Sequence, residues 1–88
     1  MLDVPKKVNV LGIAYTVTEG YLADAEGCIE PSKQRIVLSE EMSREKKEQV
    51  FLHELIHGIL DQLGYSDEYG DEKLVQGLAI GLHQALFS

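Results

Sequence analysis

An α+β domain is predicted for this 88-residue chain from two patterns. The first half holds short, β-branched stretches separated by turn residues, and the second half holds two long segments with apolar residues at helical spacing. The sheet is expected to be small, antiparallel and of three or four strands, followed by one helix bearing an unusual histidine motif and by a carboxy-terminal helix.

Lys7-Val8-Asn9-Val10 and Ile13 to Thr18 read as one or two strands, the second with alternating β-branched residues, and Gly12 marks a bend between them. Glu19 to Ala25 lacks periodicity and reads as loop or irregular edge. Gly27-Cys28-Ile29-Glu30 and Gln34-Arg35-Ile36-Val37-Leu38 are two further strands, and the turn-forming Pro31-Ser32-Lys33 between them predicts antiparallel pairing. From Glu45 to Leu63 the apolar residues Leu52, Leu55, Ile56, Ile59 and Leu63 recur on one helical face, with Val50, His53, His57 and Leu60 in an adjoining stripe. Ser39 or Ser43 is the expected cap of that helix. Glu40, Glu41 and Glu45 favour its positive end, and Gly64 is placed to stop it. Residues 64–71 form a polar stretch bracketed by glycines. A second helix then runs from near Asp71 to about Phe87, with the stripe Glu72, Val75, Ala79, Leu82 and Leu86 facing inward.

Composition narrows the function classes. At this length residues 1–88 are expected to form a single domain with a modest core, to which a bound metal would add stability. Hydrophobic residues make up 44% and charged residues 26%, ordinary for a globular protein. No stretch is long and apolar enough for a membrane span, and Met1-Leu2-Asp3-Val4-Pro5 opens no leader-like segment. A lone cysteine, Cys28, allows no internal disulfide, so a cytoplasmic setting is expected. The formal charge of −7, with no Lys/Arg stripe, argues against nucleic acid as a partner.

The chemistry is concentrated in His53-Glu54-Leu55-Ile56-His57. Residues four apart on a helix share a face, so the two imidazoles can converge on one zinc ion. Glu54 is offset around the helix and can reach an attacking water as general base. A catalytic zinc usually takes three protein ligands, so a third is required. His83 reads as a surface or rim histidine and Cys28 as ordinary strand packing. The acidic group Asp67, Glu68, Asp71 and Glu72 remains. Glu72 is preferred because a helix fixes its direction, with Asp71 and Glu68 as fallbacks.

These residues resemble the gluzincin metallopeptidases, and in particular the small ImmA/IrrE-like and phage-encoded ones. The motif helix, the short loop and Glu72-Lys73-Leu74-Val75 carry the resemblance. So do Gly27 with Ile36-Val37-Leu38-Ser39 and the lead-in Glu45 to Leu52, so that it covers roughly residues 27 to 80. It implies a minimal zincin-like fold, zinc held by His53, His57 and Glu72, water activated by Glu54, and a peptide or protein substrate such as a phage or bacterial regulator. One departure is Gln76, which stands where some gluzincins have an Asp supporting a motif histidine. Orientation is therefore expected from elsewhere, with Asp61 as candidate. Tyr65 and Tyr69 are candidate donors to the oxyanion. An extended substrate is expected to add to an edge of the sheet. The competing reading is a non-catalytic, zinc-stabilised acidic module that binds a partner protein. Glu54 discriminates, since a purely structural site has no use for it.

Overall fold

The computed structural model describes residues 4–87; Met1 to Asp3, which belong to the segment read above as lacking a leader, lie outside them. Strands β1 (Lys7–Val10) and β2 (Ile13–Gly20) form a hairpin. Its two-residue turn places Leu11 and Gly12 at φ of 49° and 90°, the pair of positive φ angles that suits strand twist. Strand β3 (Gly27–Glu30) leads through a 3₁₀ turn at Pro31–Lys33 into β4 (Arg35–Ser39), and the two pair antiparallel as expected.

The sheet corrects one expectation. Its order is β1-β2-β4-β3, and β4 runs parallel to β2, from Thr16 opposite Arg35 to Gly20 opposite Ser39. The four strands thus make a mixed sheet rather than an antiparallel one. Ile36-Val37-Leu38 is the most continuously apolar strand, with Ile36 and Leu38 fully buried, so it gains most from the centre, where both edges are paired. Strand β3 is left at the edge.

Helix α1 (Arg44–Leu63) packs Val50, Phe51, Leu52 and Ile56 against Val10, Tyr15, Val17, Ile36 and Leu38 of the sheet. Of the two candidate caps Ser43 is the one used, its Oγ accepting the Lys46 N–H at 3.2 Å. At the far end Gly64 takes φ 82°, and the Tyr65 N–H reaches the Leu60 carbonyl. Close approach of sheet and helix depends on Gly27. A Cβ built there would lie 2.6 Å from Val50 Cγ1 and 3.4 Å from the Glu54 carboxylate.

The polar stretch after Gly64 contains a one-turn helix, α2 (Ser66–Tyr69), and then α3 (Glu72–Phe87) begins, its first turn capped by Asp71 Oδ1 accepting the Leu74 N–H at 3.0 Å. Val75 and Ala79 face inward as expected, but the carboxy-terminal half of the stripe does not. Leu82 and Leu86 are exposed, while His83, read as a surface residue, is buried. Its partner explains the difference. Glu48 of α1 is buried too, and His83 Nε2 meets its Oε1 at 3.1 Å; a buried carboxyl without a polar partner is costly. The helix therefore turns to present the row Val75, Ala79, His83 inward. Gly77 and Gly81 lie on its open side, where a Cβ would meet nothing, although each costs about 1 kcal/mol relative to alanine in a helix. No helix among the described residues is long and apolar enough to cross a membrane.

Candidate metal centre

The spacing within α1 places His53 and His57 one turn apart, with their Nε2 atoms 3.2 Å from each other. Helix α3 is delivered by the Gly64–Asp71 connection so that its first residue, Glu72, faces both. Glu72 Oε2 is 3.0 Å from His53 Nε2, and Oε1 is 2.9 Å from His57 Nε2. Donor atoms of this triad all lie within 4.8 Å of one another, and it is the close donor group of this kind among the described residues. The fallback Asp71 is engaged in capping α3, and Glu68 stands outside the group.

The donor set fits a divalent metal. Ligand atoms about 2.0–2.1 Å from a tetrahedral zinc are separated by roughly 3.3 Å, close to the edges found here. Tautomers agree as well. Gln76 Oε1 lies 2.7 Å from His53 Nδ1 and accepts its N–H, which leaves the lone pair on Nε2 aimed at the centre. Orientation of His53 thus comes from Gln76 itself, against the expectation that its amide could not fill the role. Asp61 does not do this for the other histidine: His57 Nδ1 is buried and has no hydrogen-bond partner among the described residues. Removing the acceptor without changing the size of the side chain much, as in Gln76→Leu, is expected to weaken metal affinity about 10- to 100-fold, read by competition with a chromophoric chelator. An unchanged affinity would mean that helix packing alone aims His53.

Glu54 projects from the same helix and is buried beside the triad, against the backbone of Gly27. Burial pushes its carboxyl up from the ordinary range; His53 and His57 pull it back, and Glu72 adds to the rise. Tyr69 of α2 stands over His57 with ring centroids 4.9 Å apart. Burial raises its phenol pKa, helped by Asp61 and Glu54, so the hydroxyl keeps its proton near neutrality. Tyr65 is 53% exposed and does not line the cleft. Cys28 does line it, from β3. Burial followed by the charges of Glu30 and Glu54 pushes its thiol up, away from a ready thiolate.

Together these groups border an open cleft of about 490 Å³ with the triad on one wall and Gly27, Cys28 and Ile29 on the other. The role of the Gln76 amide is the functional detail that the sequence reading misses. The amide carries no charge to attract attention, although its place one turn after Glu72 is a usable signal. A family model described as Peptidase_M78, the IrrE N-terminal-like domain, matches residues 8–77. No curated protein and no solved structure gives a significant match.

Proposed function

From the premise that the chain belongs to the IrrE N-terminal-like peptidase family, we propose that it is a zinc metallopeptidase with His53, His57 and Glu72 as ligands and Glu54 as general base. The observation that carries this reading is the convergence of two Nε2 atoms and one carboxylate at 2.9–3.2 Å, with a buried glutamate beside them that is not one of the three. When bound, zinc would act as a Lewis acid on the scissile carbonyl and lower the pKa of water to about 7.

The chain's own residues account for the other steps. Gln76 holds His53 in the tautomer that offers Nε2. Glu54 takes the proton of the attacking water and passes it to the leaving amine; burial raises its pKa above that of an ordinary carboxyl, which makes it a stronger base toward the water. The Tyr69 hydroxyl, protonated and lining the cleft, donates to the carbonyl oxygen as negative charge develops there. Strand β3 supplies the platform. As an edge strand it has main-chain groups free on one side, and an extended peptide laid along Gly27–Ile29 would pass the triad. A domain this small has few side-chain pockets, so main-chain recognition carries much of the binding.

The test is a purified chain with measured zinc, incubated with a proteome-derived peptide library. About one zinc per chain and cleavage that stops on chelation are expected. Full zinc occupancy with no cleavage across the library would favour the non-catalytic module, in which the acidic surface binds a partner protein.

A further inference from the structure

The outer side of α3 is unlike the rest of the surface. From Leu74 to Ser88 the sequence has no Asp, Glu, Lys or Arg, in a chain with 15 acidic and 8 basic residues. A helix with only Val75, Ala79 and His83 buried would ordinarily carry its charges on the open face. Here that face has two neighbouring rows at i, i+4 spacing. Leu74, Leu78, Leu82 and Leu86 form a ridge, each 39–63% exposed, and Gly77, Gly81 and Ala85 form a shallow groove beside it, also exposed. None of the described residues occupies the space above either glycine, so packing among them does not account for the two positions.

We propose that this face is where two copies of the chain dock, with the leucine ridge of each helix in the glycine groove of the other. Three features favour a second copy as the occupant. Ridge and groove lie side by side on one surface, so a two-fold axis makes the surface its own complement. Charge favours it too. At a net charge of −7, contact elsewhere sets acid against acid, whereas this face is neutral apart from Lys73 at the head of the groove. Antiparallel docking brings each Lys73 toward the carboxyl end of the partner helix, whose last turn has no basic residue of its own. Area sets the strength. Two 16-residue helices about 24 Å long bury roughly 500–600 Å² per copy, at the lower limit of specific interfaces, which gives a reversible dimer.

The docking face is on the side of α3 away from Glu72 and Gln76, so it is independent of the peptidase reading. Sedimentation equilibrium of the chain as purified, from about 1 µM to 1 mM, should show the mass rising from 9.8 kDa to twice that, with a midpoint on the order of 10–100 µM. Leu78→Glu and Leu78→Lys, at an exposed position, should each weaken association at least about 100-fold while keeping helical circular dichroism and the melting temperature of the parent at low concentration. An equimolar mixture of the two should associate again, because opposite charges then meet near the axis. Gly81→Leu fills the groove, has open space in the isolated chain, and should give a folded monomer throughout. A parent that stays at 9.8 kDa up to about 1 mM, variants that associate like the parent, or a mixture that does not recover association would overturn the proposal.

Discussion

Replacing Glu54 by glutamine is expected to lower the turnover of peptide hydrolysis at least about 100-fold, with zinc content and folding as in the parent. The amide matches the carboxylate in size but has no basic oxygen to take a proton from water. Folding should not suffer. The carboxyl is only 8% exposed and its pKa is raised chiefly by burial, so ionising it there is unfavourable, and a neutral amide removes that cost. Because Glu54 lies outside the donor group of His53, His57 and Glu72, the loss should fall on kcat and leave KM within a few-fold. Steady-state rates on a cleaved library peptide decide the matter. Activity within about threefold of the parent would place the base elsewhere.

Zinc removal should have the second large effect, on stability. Helix α3 is attached to the rest of the chain through a narrow buried row of Val75, Ala79 and His83, and through Glu72 and Gln76 at the triad. A metal held at 1,000 times its dissociation constant stabilises the folded state by about 4 kcal/mol, which in a domain of this size moves the melting temperature by on the order of 20 °C. Scanning calorimetry of chelated and zinc-saturated protein should show that gap, and Glu72→Ala should melt like the chelated parent whether or not zinc is added. Identical melting curves, with metal confirmed absent from one sample, would exclude a stabilising role for the site.

Much of this architecture was legible in sequence because it is local. The pairing of His53 with His57 follows from helical spacing, the ends of α1 from Ser43 and Gly64, and the β3–β4 hairpin from Pro31-Ser32-Lys33. Misread features depend on distant partners. Strand β4 sits next to β2 in parallel because the whole sheet competes for its apolar edges, and no residue near Arg35 signals that outcome. The phase of α3 is set by Glu48, 35 positions from His83, and a helical wheel drawn on α3 alone does not contain it. Gln76 falls between these cases, since its distance from Glu72 was visible but the amide's role needed the position of His53.

Placing β3 at the rim of the sheet has a further consequence, for solubility. Unpaired main-chain groups that would receive a substrate strand are also a template on which misfolded or nascent chains can stack into β-aggregates. The strand is only four residues long, with Glu26 paired to Lys46 just before it and Glu30 paired to Arg35 and Lys33 at its end. A flat hydrophobic segment of six or seven residues, the usual unit of a steric zipper, finds no matching length there and meets charge at either end. Short peptides can still use the middle, so brevity and flanking charge let the edge stay open to a ligand while discouraging fibril growth.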